Sequence, residues 1–307
     1  MVADKAETGF GQRKGLIIAG PTASGKSSIA LAIAKKYGGT IINADSMQCY
    51  QELRVITARP SALDEASVPH RLYGVRAAKD PANAAWWCAQ ARAEMENAAF
   101  PILCGGTGMY LSSLVHGIAA IPDPGEAARA QARAFVAQHG PRAVHELLDE
   151  ATAAKLNPQD SQRITRAYEV LLGTGQGLAH WQAQPRIGLQ GWHLRMILLD
   201  PPRPLLREAI ATRFALMLQQ GACEEVEALL AQDLPPDTPL LRALGVPELA
   251  AYLRGEMSLE VAQERAVLTS FQYTKRQMTW FRHQALVAAP DLTILQQKPE
   301  RLEDYWP

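Results

Sequence analysis

Apolar residues follow two rhythms along this chain. Short continuous runs, Gly15 to Ala19, Thr40 to Asn43, Leu72 to Val75 and Pro101 to Cys104, alternate with helically spaced stretches up to about residue 118. Runs of this length bounded by glycine, proline or polar residues suit strands buried on both faces, and their alternation with helices predicts a parallel sheet with crossover helices. Between Ile121 and Pro185 the rhythm changes. The segments Glu126 to Gln138, Arg142 to Glu150 and Gln162 to Leu172 follow one another as helical patterns with no strand run between them. A strand run returns at Trp192 to Leu199, and helical spacing then covers Pro204 to Gln220, Cys223 to Ala231 and Ser258 to about Ala285. The pattern predicts an α/β core in two sequence parts, residues 1–120 and 191–307, around an all-helical insertion at 121–190. The tail after Pro290 carries no assignable pattern.

Composition narrows the function classes. With 307 residues, 48% of them hydrophobic, the chain can bury a substantial core. Lysine plus arginine and aspartate plus glutamate are equal at 31 each, so any nucleic-acid partner must be met by a local patch rather than a global field. Cys49, Cys88, Cys104 and Cys223 show no paired spacing with one another or with histidine, which points to reduced thiols and against a zinc site or disulfide framework. The N-terminus, Met1 to Lys14, is polar, and no apolar run approaches membrane-spanning length. A soluble, cytoplasmic, monomeric protein is the expectation.

Three strand exits carry the candidate chemistry. Gly20-Pro21-Thr22-Ala23-Ser24-Gly25-Lys26-Ser27 fills every position of G-x-x-x-x-G-K-[ST] after the first apolar run and before a helical pattern. Such a loop cradles a di- or triphosphate with its backbone N–H groups. Lys26 reaches the terminal oxygens and the Ser27 hydroxyl is placed to hold Mg²⁺. The fold class implied is a P-loop NTPase-like parallel sheet. The second exit, Asn43-Ala44-Asp45-Ser46-Met47-Gln48, puts a carboxylate at the same end of the sheet, where Asp45 fits a Mg²⁺ ligand, a general base or a helix N-cap equally well. Met196-Ile197-Leu198-Leu199-Asp200 also ends in aspartate, followed by two prolines. Asp200 is read either as the metal-binding carboxylate of an ATPase or as a plain strand exit. The third exit, Gly105-Gly106-Thr107-Gly108, exposes a hydroxyl and backbone donors between glycines.

Taken together, these segments resemble the tRNA dimethylallyltransferases, also called tRNA isopentenyltransferases, over nearly the whole chain. The likeness extends through Thr57-Ala58-Arg59-Pro60, Val68-Pro69-His70, Asp160-Ser161-Gln162-Arg163, Arg166-Ala167-Tyr168-Glu169-Val170, Arg213-Phe214, Arg242-Ala243-Leu244-Gly245 and Lys275-Arg276-Gln277-Met278-Thr279-Trp280. The resemblance implies transfer of a dimethylallyl group from dimethylallyl diphosphate to the exocyclic amine of the adenosine 3′ of the anticodon. In that reading the cradle and Mg²⁺ hold a leaving group. Asp45 is then the base, Thr107 hydrogen-bonds near the bridging oxygen, and Arg213 joins Lys26 on the diphosphate.

The resemblance also implies that the insertion grips tRNA, through Arg129, Gln159, Asp160, Ser161, Gln162, Arg163 and Arg166. Asp45, Ser46, Met47, Gln48 and Thr107 would meet the flipped base, with Arg242, Gly245, Lys275, Arg276, Gln277 and Arg282 adding contacts from the core. The plain reading of those helices is a solvated charged face. Trp86, Trp87 and Trp280 are read as core, and His70 is given no chemical role. The chain departs from the family pattern at Gln51-Glu52, at Arg54-Val55-Ile56 and at Ser270-Phe271-Gln272. It lacks the Cys/His pairing of an appended zinc finger, which points to the bacterial form. A P-loop small-molecule kinase and an ATP-hydrolysing RNA-binding module are the alternatives from other classes.

Overall fold

The computed structural model describes residues 12–297, so the N-terminal residues 1–11 and the tail from 298 lie outside the described residues. The chain divides into two compact units, one running up to Val115 and again from Leu189, the other His116–Gly188.

The first unit opens with β1 (Arg13–Ala19), α1 (Lys26–Tyr37), β2 (Thr40–Asn43), α2 (Ala62–Ser67), β3 (His70–Arg71), α3 (Ala84–Asn97), β4 (Pro101–Gly105) and α4 (Gly108–His116). The second unit holds α5 (Gly125–His145), α6 (Glu150–Ala153), α7 (Ser161–Thr174) and α8 (Leu178–Gln182). The first unit resumes with β5 (Trp192–Leu199), α9 (Arg203–Gln219), α10 (Ala222–Leu230), α11 (Val246–Leu253), α12 (Leu259–His283) and β6 (Leu292–Leu295). Its six strands form one sheet in the order β3-β2-β4-β1-β5-β6, and every pairing is parallel.

Burial on both faces explains the unbroken apolar runs. Successive side chains point to opposite faces. Ile17, Ile42, Leu103 and Met196 pack with Trp87, Tyr110, Leu111 and Phe281 on one side. Leu16, Ile18, Ile41, Ile102 and Ile197 pack with Ile29, Ala30 and Ile33 of α1 on the other. A further core joins α9, α10 and α11 to Tyr50, Leu53 and Ile56. In the second unit α5 and α7 pair around Val136, Val144 and Ile164.

Three expectations change. The strand expected at Leu72 to Val75 is instead His70–Arg71, because Leu72 and Gly74 turn the chain with φ of 63° and 58°. The amides of Gly74 and Val75 then bond to the carbonyls of Gln48 and Cys49. The helix expected from Arg142 to Glu150 ends at His145; Gly140, with φ 78°, and Pro141 break α5, and Asp149 caps a new turn at Glu150. The unassigned tail after Pro290 contributes β6, an edge strand with Ile294 exposed.

Candidate active site

Strands β1, β2 and β4 lie near the centre of a parallel sheet, so the loops at their carboxyl ends emerge on one edge. That topology brings the phosphate loop, Asp45 and Thr107 together.

The phosphate loop is folded for an anion. Ala23 holds a left-handed φ of 62°, a conformation that costs a non-glycine residue about 1–2 kcal/mol and is found where function demands it. Gly25, φ 87°, caps α1, whose first turn contains no acidic side chain, so the positive end of the helix is uncompensated. The Lys26 ammonium donates to Pro21 O at 3.1 Å, back onto its own loop. Burial pushes its pKa below the ordinary lysine value, and the Asp45 charge pulls in the other direction. Ser27 is exposed beside it, in contact with the buried Cys104 thiol, whose pKa burial raises to about 11. The Ser24 hydroxyl oxygen is buried and has no hydrogen-bond partner among the described residues.

Asp45 is held by its neighbours on both sides. Asn43, fully buried, accepts the Asp45 N–H at 2.8 Å and donates to Asp45 O at 2.9 Å and Leu72 O at 3.0 Å. One carboxylate oxygen accepts the Met47 N–H at 3.0 Å, an Asx turn. The capping reading of this aspartate is therefore present in part. The charge of the same carboxylate raises the pKa of Lys26 and of Arg213, each lowered chiefly by burial. Arg213 reaches in from α9 and donates to the Thr22 hydroxyl. Thr107 N–H donates to Ala44 O at 3.1 Å, while its hydroxyl accepts the Ser46 N–H at 3.0 Å, which ties the third loop to the second.

The remaining candidates divide by environment. Gln48 donates to Thr57 O and Ala58 O, pinning the 54–59 loop from inside. Gln277 is buried, with its amide bonded to Thr22 N–H and Gly106 O, and Gly245 is buried with φ 89° at the start of α11. Ser46 and Met47 are half-buried beside Asp45. Arg242, Lys275 and Arg276 are exposed, Arg276 lying over the Tyr273 ring. Arg282 is in an ion pair with Asp200 at 2.8 Å, so the Asp200 carboxylate is engaged as a strand exit held by α12. In the second unit, Arg129 pairs with Asp123 at 2.6 Å, Arg163 with Asp160 at 3.5 Å and Arg166 with Glu169 at 3.2 Å. Asp160 caps α7, and Gln159, Ser161 and Gln162 are exposed around that cap.

His70 bonds the Val68 carbonyl, and Trp87 is fully buried, its indole N–H on Asn43 O at 2.7 Å. Sequence reasoning missed Asn43 and Glu225. Glu225 accepts the N–H groups of Arg54, Val55 and Ile56, and so fixes the loop that departs from the family pattern. Its helical position gave no signal; Asn43 could have been suspected as an amide ending a buried strand.

This is a phosphate-loop α/β core in which Arg213 of α9 bonds to Thr22 of the loop that carries Lys26. Residues 48–284 match the IPP transferase family and residues 14–76 the Isopentenyl transferase family. The chain is 61% identical over 274 residues to a tRNA dimethylallyltransferase of Acidiphilium cryptum, covering 88% of this chain and 84% of that protein. It is 54% identical over 288 residues to one from Granulibacter bethesdensis, covering 92% and 90%. Among solved structures, the tRNA isopentenylpyrophosphate transferase of Bacillus halodurans aligns with a TM-score of 0.65 at 30% identity, over 92% of this chain and 90% of that one. The chain belongs to the tRNA dimethylallyltransferase family. That membership supports prenyl transfer, not the small-molecule kinase or the ATP-hydrolysing RNA-binding module.

Proposed function

We propose that the chain transfers a dimethylallyl group from dimethylallyl diphosphate to the exocyclic amine of the adenosine 3′ of a tRNA anticodon, releasing diphosphate. The observation that carries this reading is the convergence of loops at one edge of the sheet: Arg213 donates to Thr22 in the loop that carries Lys26, and the Thr107 hydroxyl accepts the Ser46 N–H next to Asp45, whose charge acts on both cations. In the step proposed, the amine nitrogen bonds to the first allyl carbon and the bond from that carbon to the bridging oxygen breaks. The amine proton passes to the Asp45 carboxylate, and the electron pair leaves with the diphosphate. Lys26, Arg213 and Thr107 stabilise the charge that grows on the departing oxygens. Asn43 keeps Asp45 from turning away. An adenine amine is a weak nucleophile, so alignment of the base and the allyl carbon contributes more than deprotonation.

The residues present fit Mg²⁺. At the first turn of α1 beside Lys26 an exposed hydroxyl would be available to an ion held otherwise by phosphate oxygens and water. Ser27 is that hydroxyl, and the ion would supply charge neutralisation on the diphosphate.

The insertion and the exposed face of α12 are proposed to hold the anticodon stem-loop. No described helix is long and apolar enough to cross a membrane, and we take the protein to act where tRNA is available, as a single chain. The test is mass spectrometry of nuclease-digested tRNA after incubation with dimethylallyl diphosphate and Mg²⁺. One isoprenoid unit on the adenosine 3′ of the anticodon is expected; unmodified tRNA, or a unit at another position, would overturn the reading.

A further inference from the structure

The glycine-rich turn after β4 looks from sequence like a surface for ligand approach. In the structure it is occupied by α12. A Cβ at Gly106 would lie 2.3 Å from Gln277 Nε2, and one at Gly108 would lie 2.1 Å from the Trp280 ring. The glycines admit two side chains that are neighbours on one face of the helix. Lys275, Arg276 and Thr279 lie exposed on the same helix while Gln277 is buried.

Gln277 joins two loops that the chain separates widely. Its Oε1 accepts the Thr22 N–H at 3.0 Å, and its Nε2 donates to Gly106 O at 3.1 Å. The orientation of the amide is fixed by its partners, since an N–H can only donate and a carbonyl can only accept. Thr22 is also the residue whose hydroxyl takes the Arg213 guanidinium. One amide therefore links the loop carrying Lys26 and Ser27, the turn carrying Thr107 and, through Thr22, Arg213.

We propose that Gln277 is a positioning residue for the transfer reaction, locking the phosphate loop to the Gly106 turn so that the cations and Thr107 share one leaving group. The proposal rests on the prenyl-transfer reading, and it reassigns a residue that the family resemblance places among the tRNA contacts. Only a neutral group that both donates and accepts can fill this place. Methionine matches the length and does neither; a protonated carboxyl does both, an ionised one cannot donate.

The test uses Gln277→Met and Gln277→Glu in the full chain. For Gln277→Met, misalignment of this kind is expected to lower kcat by about 10- to 100-fold, to raise KM for dimethylallyl diphosphate, and to leave the tRNA dissociation constant unchanged. For Gln277→Glu, the ratio of its rate to the wild-type rate should climb as pH falls and the new carboxyl becomes protonated, a signature that loss of packing would not give. Weaker tRNA binding with kcat and the diphosphate KM unchanged would return Gln277 to a tRNA-contact role and overturn the proposal. So would a rate ratio flat with pH. If Gln277→Met does not melt cooperatively, the pH series on Gln277→Glu decides. Binding of inorganic diphosphate by calorimetry separates the two readings. Weaker binding in Gln277→Met with no prenylation by the wild type would sink the function while the brace stood.

Discussion

Arginine and lysine do opposite things in the two units. In the core, Lys26 and Arg213 are half-buried near one carboxylate, and burial lowers both pKa values. In the insertion, Arg129, Arg163 and Arg166 stay near solvent, and each has an acidic partner within the same unit. The stretch His116–Gly188 contains seven lysines and arginines and seven aspartates and glutamates. In the proposed reading the core cradle is a charge excess that an arriving anion would stabilise, whereas Arg129, Arg163 and Arg166 of the insertion would meet phosphates by exchanging acidic partners for them. Surface ion pairs are worth little, typically about 0–1 kcal/mol, so that exchange is cheap. Partly desolvated cations cost more, and in the proposed reading a bound anion would offset that cost.

The largest effect expected lies at the base. Asp45→Asn keeps the Asn43 clamp and the Asx turn but cannot take a proton, so single-turnover transfer should fall by about 10²- to 10⁴-fold with tRNA binding retained. A loss under about fivefold would remove Asp45 from that role.

Next come the groups on the leaving oxygens. Thr107→Ala and Arg213→Ala should each cost roughly 3 kcal/mol in kcat, a loss on the order of 100-fold. If both kept wild-type rates at saturating diphosphate, the core would hold charge without using it.

Lys26→Met sharpens the contrast through stability. Burial disfavours the ammonium in the folded free protein, so its folded pKa lies below the unfolded value of 10.5. The unfolded chain then binds more protons in the window between the two values, and folding stability should rise with pH across that window. Denaturant titrations at a series of pH values should show this slope in wild type and lose it in Lys26→Met. Below the window the variant should be the more stable protein, while its diphosphate affinity falls by roughly 10- to 100-fold. A less stable variant would mean that the buried ammonium is already satisfied by Pro21 O and Asp45.

The smallest effects belong to the insertion. Arg129→Ala should weaken tRNA binding modestly and reduce the slope of log affinity against log salt by up to about one unit, with diphosphate affinity unchanged. Because Arg129 is paired with Asp123, Asp123→Asn should strengthen tRNA binding. Filter binding over a salt series checks both, and impaired diphosphate binding with tRNA affinity intact would make the insertion a lid over the small substrate.

The same contrast explains what was legible in the sequence. The core strands are unbroken apolar runs because both sheet faces are covered, and the phosphate loop is contiguous, so β1, α1, β2, β4 and β5 could be read directly. Leu72 to Val75 misled because an apolar run does not reveal a left-handed Leu72. β6 was hidden because an edge strand half in solvent lacks the full run. Glu225 and Gln277 act on loops more than a hundred residues away, and no local pattern encodes such a bond. The resemblance places Arg129 and Arg166 among the tRNA contacts, yet the structure sets Asp123 and Glu126 beside Arg129 and Glu169 beside Arg166, partners that no helical spacing reveals.

In the proposed reaction the cradle holds a leaving group and no phosphoryl group moves. The direct measurement is the product balance in one reaction containing tRNA, dimethylallyl diphosphate and Mg²⁺, with the mass gain of the tRNA and the phosphorus products followed together. One diphosphate should be released for each isoprenoid unit gained by the adenosine beside the anticodon. Monophosphate released from an added nucleoside triphosphate, with the tRNA unchanged in mass, would contradict it.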